Sequence, residues 1–182
     1  MGAYRNTNAP LITVPDAARY SPWMNMPTPA FIPSLGFKVS KVENIETATG
    51  VDLFTVTGKV LIRAWIGEVT NALHTTVTDY KIRIKTDNVD LCAATNLSSA
   101  AVGYMWSMSG DAGLTLLTGS SYAVSAVKTA DNNAIGTAER IVGLAGGTCT
   151  LQSLRTAGAA GDSMTHSLWY MPLEDAASVV AA

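Results

Sequence analysis

Charge is scarce in this 182-residue chain: Lys, Arg, Asp and Glu together make up 14% of it, against about 25% in an average soluble domain. A lone monomer normally coats its surface with these residues. A chain this poor in them either buries an unusually large core or gives much of its surface to partners. A single domain of this size still leaves a large part of its surface outside the core, so the composition points to partners. Basic clusters are also missing. The net charge is −2 and the isoelectric point near 5.6, which argues against a nucleic-acid surface. The densest basic run is Lys81, Arg83 and Lys85, interleaved with Tyr80, Ile82 and Ile84. Alternation at period two predicts a strand with one solvated face and one buried face. No apolar stretch approaches the ~18 residues that a membrane span needs. No charged segment followed by an apolar run marks a leader at the N-terminus. The expectation is a protein made in the cytoplasm that makes no contact with membranes. Cysteine is nearly absent as well. Cys92 and Cys149 are read as buried thiols. They are too few for a zinc site, and two lone cysteines do not specify a disulfide.

Proline is almost confined to one end. Six of the seven prolines, at positions 10, 15, 22, 27, 29 and 33, precede residue 34. Each fixes φ and lacks a backbone donor, and each pushes the residue before it toward extended conformations. Residues 1–37 therefore read as an extended arm. Disordered tails are poor in aromatics and rich in charge, whereas this arm carries Tyr4, Leu11, Ile12, Tyr20, Trp23, Met24, Met26, Phe31 and Ile32. Proline with scattered large apolar side chains describes a segment that lies on something, here a neighbouring subunit. Tyr4, Leu11, Tyr20, Trp23, Met24 and Phe31 are the candidate partner-binding anchors. Trp23 stands out among them, because tryptophan is enriched at interface hot spots.

Residues 38–182 read as a single β domain. Runs at 51–56, 59–69, 76–86, 104–108, 122–127, 148–151 and 166–171 are rich in strand formers, and Gly, Asn, Asp and Ser clusters punctuate them. Many short strands with frequent turn signals predict an all-β, antiparallel β-sandwich or a jelly-roll-like barrel. Helical periodicity is missing, save for a turn near 96–101.

Catalytic constellations are missing too. His74 and His166 stand apart in sequence, and each reads as a surface or hydrogen-bonded strand residue. There is no Gly-x-Ser-x-Gly elbow and no phosphate loop. Asp87, Asn88 and Asp90, like Asp131 to Asn133, offer oxygen ligands but fall where turns are expected. Glu174 and Asp175 are adjacent, so on an extended chain they face opposite ways. Trp65, Trp106, Trp169 and Tyr170 lie inside expected strands and read as core. A glycan platform would instead use Tyr104 with Trp106, which share a face at period two. The reading is of a protein that is not an enzyme, with no cofactor and no metal.

Two stretches carry a resemblance. One is Val-Thr-Gly-Lys-Val-Leu-Ile-Arg-Ala-Trp-Ile-Gly-Glu-Val at 56–69. The other is the C-terminal Thr-His-Ser-Leu-Trp-Tyr-Met-Pro-Leu-Glu-Asp followed by small residues from 165 onward. With Asp-Leu-Cys-Ala-Ala-Thr at 90–95 between them, the layout from about residue 55 to the end resembles small β-rich virion proteins of tailed bacteriophages. The resemblance implies a capsid decoration or cement protein on the outside of a virion. It would be a homo-oligomer, in that family a trimer, with the major capsid protein as partner. The alternatives are a tail, neck or fibre-base component of a virion and a carbohydrate-binding β-sandwich for host adsorption.

Overall fold

The computed structural model describes residues 31–32, 36–46, 50–108, 113, 115–119, 140–143 and 145–182. Among these residues twelve strands follow in chain order: β1 Phe31–Ile32, β2 Gly36–Asn44, β3 Val51–Thr57, β4 Val60–Asn71, β5 Lys81–Ile84, β6 Val89–Asp90, β7 Met105–Ser107, β8 Leu117–Gly119, β9 Arg140–Val142, β10 Thr148–Leu154, β11 Ser163–Pro172 and β12 Ser178–Ala181. There is no helix among the described residues, and residues 96–101 form turns. The strands make two sheets. One runs β1-β2-β11-β4-β7-β8, with β9 also on β4; the other runs β12-β3-β10-β5-β6. Every pairing is antiparallel. The domain is thus an all-β sandwich of two sheets, which do not close into one barrel.

The strand β4 lies at the centre of the larger sheet. It pairs along its whole length with β11 on one side. On its other side β9 takes Val60 to Ile62 and β7 takes Ile66 to Glu68. Its inward residues change phase midway. Val60 and Ile62 are buried, then Trp65, Gly67 and Val69. The register on β11 slips between Ala64 and Ile62, leaving Arg63 as the extra residue of a bulge. A bulge adds one residue to one strand and so reverses the faces beyond it. The smaller sheet has a matching slip. Phe54 pairs with Leu151 and Asp52 with Gln152, so Leu53 is the odd residue, and it and Phe54 both reach the core.

The core lies between the sheets. Phe54 on β3 meets Trp65 on β4 edge to face at 5.4 Å. Around them Leu53, Val56, Ile62, Ile82, Leu151 and Leu168 are fully buried. Contacts of this kind are worth about 0.5–1.5 kcal/mol for the ring pair beyond its area burial. The chain crosses from one sheet to the other at Gly58 (φ +65°). The Gly58 carbonyl lies where a side chain on Gly143 would begin, so both corners need glycine.

Residues 76–86 are one expected strand, but only Lys81–Ile84 is strand. Asp79 adopts φ 52°, and Thr78 N–H bonds back to the Thr76 carbonyl at 2.8 Å. That turn interrupts the alternation just before the sheet. Inside β5 the expected pattern is present: Ile82 is buried and Lys81 and Arg83 are partly exposed. Strand pairing also begins earlier than residue 38, at Phe31 opposite Phe37. The backbone of the anchor candidate Phe31 is therefore an edge strand. Cys92 and Cys149 are buried, and no disulfide joins them.

Gly67 faces the Trp106 indole so closely that any added methyl would land inside the ring. Both lie on paired backbone, Gly67 opposite Trp106 on β7, so neither can retreat. Gly67→Ala is expected to destabilise the domain by about 3 kcal/mol, the upper part of the usual overpacking range, as read by a urea denaturation curve. A loss under about 0.5 kcal/mol, the level of an ordinary surface change, would mean that the Trp106 packing is loose.

Candidate functional site

The most unusual side chains of the fold lie in its middle. Glu43 comes from the inner face of β2, where Val39, Lys41 and Glu43 share one side of the strand. Its carboxylate is completely buried, as are Ser153, Tyr80 and His166, and Arg155 is nearly so. Four donors converge on Glu43. Arg155 Nη1 reaches Oε1 at 2.6 Å, and the Ser153 hydroxyl donates to the same oxygen. His166 Nε2 reaches Oε2 at 2.8 Å, and the Tyr80 hydroxyl donates to it at 2.9 Å. The Trp65 indole N–H points at His166 Nδ1 at 3.4 Å. With Nδ1 accepting, the network assigns the proton to Nε2, which donates to Glu43. The imidazole is then neutral, and the cluster balances one guanidinium against one carboxylate.

The electrostatics follow from this packing. Burial pushes the Glu43 carboxyl upward, but the His166 hydrogen bond, the Ser153 hydroxyl and the Arg155 guanidinium together hold it below its ordinary value. The same burial, then the Glu43 charge beside it, raises the Tyr80 phenol well above its ordinary range. Both statements describe an ionised acid held by neutral and cationic donors in a dry place.

The constellation contains Ser, His and an acid, yet it is not wired as a hydrolase. The serine donates to the carboxylate and not to the imidazole, so no base is placed to activate it. The acid sits in the centre of the group. All its partners face inward between the sheets, in a layer closed by Trp65 and by Trp106, whose ring lies 5.5 Å from the imidazole. What the arrangement does chemically is tie β2 and β11 of one sheet to β10 and the approach to β5 of the other.

The two outer faces differ sharply. On the smaller sheet, Asp52 binds Lys85 at 2.8 Å and accepts from Gln152 Nε2 at 2.8 Å. Gln152 in turn accepts from Arg83 at 2.7 and 2.9 Å, and Lys81 meets Asp90 at 2.6 Å. This is a charged ladder in water, where such pairs contribute little to stability. On the larger sheet the outward row positions are Ile141, Leu61 and Met171; then Ala64, Trp169 and Lys38; then Ser107, Ile66, Ser167 and Ser40; then Met105, Glu68, Thr165 and Val42. Ile141 is 67% exposed, and Lys38 Nζ lies 5.2 Å over the Trp169 ring. An antiparallel sheet commonly keeps its outer face polar; this one is apolar at just over half of its outward positions, with Ser, Thr, Lys38 and Glu68 at the rest.

The anchor candidates Tyr4, Leu11, Tyr20, Trp23 and Met24 lie outside the described residues. Among the described residues no group of His, Cys, Asp and Glu is arranged to hold a metal ion. No helix among them is long and apolar enough to cross a membrane. His166 is the hydrogen-bonded strand residue that its position suggests. His74 forms a local contact, its Nδ1 lying 3.1 Å from the Thr76 hydroxyl. Glu174 accepts the Lys59 and Gly146 N–H groups at 2.9 and 3.3 Å, holding a corner of the sandwich. Trp106 is completely buried and packs on Tyr80 and His166. The Tyr104 and Trp106 glycan platform is therefore not formed: the ring that would stack on a sugar faces the core. Glu43, Tyr80, Ser153 and Arg155 carry no signature in sequence. No protein-family model, no curated protein and no solved structure matches this chain.

Glu43→Gln removes the charge that balances buried Arg155. Breaking a buried pair in this way costs about 3–5 kcal/mol, and equilibrium unfolding near neutral pH should show it. The pH dependence has a definite sign. The folded pKa lies below the ordinary 4.5, so below that pH the unfolded chain binds more protons than the folded one. The stabilisation is present above about pH 4.5 and is lost as pH falls through the folded value. Glu43→Gln should flatten this acid limb of the stability curve, while an unchanged limb would place the acid sensitivity elsewhere.

Proposed function

We propose that this chain is a structural subunit of a virion, a capsid decoration or cement protein that binds neighbouring subunits through the apolar outer face of its larger sheet and through its proline-rich arm. The observation that carries the reading is the contrast between the two outer faces. One is a ladder of paired charges suited to water. The other presents Leu61, Ile66, Met105, Ile141, Trp169 and Met171, with few charges among them. Ile141 is exposed and the other five are half-buried; a contiguous apolar patch at a sheet face marks an interaction site. The low overall charge of the sequence has the same origin. The buried polar cluster fits such a role, because it spends the most reactive side chains on joining the two sheets. The virion as the assembly comes from the sequence resemblance.

In this function each copy would cover seams between capsid subunits. Burial contributes ~25 cal/mol per Å² of apolar surface before the costs of association, and repetition across a lattice multiplies modest contacts. The test is the copy number of this chain in purified particles, measured by quantitative mass spectrometry, together with rebinding of purified protein to stripped particles. A copy number matching the capsid lattice is expected. Rebinding should be lost on removal of residues 1–30, which spares β1, and weakened by Ile141→Lys. A copy number of a few per particle would assign the chain to the tail or neck instead. Absence from particles would overturn the virion reading altogether.

A further inference from the structure

The outer face of the larger sheet carries one acid and one base that find no ion-pair partner among the described residues. Lys38 sits on β2 and stacks over Trp169. Glu68 sits on β4 and is exposed. Through the pairings Lys38 with Trp169 and Trp169 with Ala64, Lys38 is level with Ala64 and lies two strands away from it. Glu68 is four residues further along β4. Strand spacing and rise place the two backbone positions about 16 Å apart, too far to pair within one subunit. Between them lie Trp169, Ile66 and Ala64, with Ser167 at the midpoint, its hydroxyl 3.2 Å from that of Ser40.

We infer that this face pairs with the same face of a second copy about a two-fold axis lying in the plane between them. This rests on the reading of the face as an interface, and it names the occupant. The geometry is self-complementary. Any two-fold that sets Lys38 of one copy against Glu68 of the other sets Glu68 of the first against Lys38 of the second, because an isologous contact repeats each pair. The same operation lays Trp169 and Ile66 of one face on those of its mate, around Ser167 at the axis. An unrelated partner would have to supply an acid and a base at the same 16 Å spacing. A second copy supplies them by symmetry. The face covers roughly 20 Å by 20 Å from strand spacing and rise. Two such faces would bury roughly 800 Å² before side-chain relief is counted, below the ~1,200–2,000 Å² of a stable interface and in the range of weak, transient ones. The pairing is therefore concentration-dependent. It is also two-fold, where the sequence resemblance implies a trimer.

The experiment is sedimentation equilibrium of the full chain over a range of concentrations, with Lys38→Glu, Glu68→Lys, the two together, and Ile66→Lys. Far-ultraviolet circular dichroism and a urea midpoint for each variant confirm that it is folded. The wild type should show a monomer–dimer equilibrium. Each single charge change should weaken dimerisation roughly tenfold, since symmetry applies it twice. The double exchange should restore it, which a merely structural effect would not do. Ile66→Lys should abolish the dimer. A wild type that is monomeric throughout, a trimer with no dimer, or a double exchange that fails to recover would each overturn the pairing. These outcomes are separable from the assembly reading. If the wild type is monomeric but still rebinds particles, and Ile66→Lys prevents that, the face is an interface for another protein and only the self-pairing falls.

Discussion

The rest of this structure depends on one buried carboxylate. Glu43 gathers its four donors from separate segments: Arg155 and Ser153 at the end of β10, His166 on β11 and Tyr80 just before β5. An apolar core can be satisfied by many relative placements of two sheets, because dispersion and burial have no direction. A carboxylate holding four donors within hydrogen-bond reach can be satisfied by very few. The cost of taking Glu43 and Arg155 out of water is several kcal/mol per ion. A half-formed version of the cluster would pay that cost without the return, so the register of the sandwich is fixed by the penalty against alternatives more than by the stability of the pair itself. His166 adds a constraint of its own. Its two ring nitrogens are used in opposite senses, donating to Glu43 and accepting from Trp65, which locks the ring to both β2 and β4.

The packing around the cluster explains why the nearby aromatic residues are core and not surface. Trp106 reaches the imidazole only because Gly67 on the neighbouring strand has no side chain. Trp65 reaches it because the bulge at Arg63 turns the second half of β4 over. The same bulge decides what the outer face contains. Without it, Ala64 and Ile66 would point into the sandwich and Trp65 out of it. One extra residue therefore sets both the polar layer inside and the apolar surface outside.

The broad plan of the fold was legible in the sequence and the site was not, for a shared reason. Alternation at Lys81, Ile82 and Arg83 reports the strand and its faces because one face meets water and the other meets apolar core. The all-β class follows from many such short runs. In β2 the rule misleads, since Val39, Lys41 and Glu43 face inward and Val42 faces out. A charged residue at an inward position carries no local mark of its partners, which lie 37 to 123 positions away along the chain. His166 was legible as a surface or a hydrogen-bonded strand residue, but not which of the two, nor what it bonds to. In β4 the run of Val, Leu, Ile, Ala and Trp gives a strand without a phase, because the bulge that sets the phase is a property of the pairing with β11. The interval 76–86 fails for a different reason: a turn at Asp79 follows no rule of alternation. The arm's anchors from Tyr4 to Met24 lie outside the described residues, and their reading rests on proline spacing and aromatic content alone.

A rigid register and an apolar outer face belong together physically. A surface that binds by shape must not change shape when it binds, or part of the binding free energy goes to ordering it. The Glu43 cluster lies directly beneath the strands that present that face: β2 carries Lys38, β11 carries Trp169 and β4 carries Ile66 and Glu68. Residues on the two sides of the same strands alternate, so a one-residue slip of β2 or β11, which would break the cluster, would also turn Lys38 or Trp169 to the other face. The polar core therefore does more than join two sheets. It fixes which residues face outward, and so makes the sparse charge of this sequence available as a defined pattern on a surface.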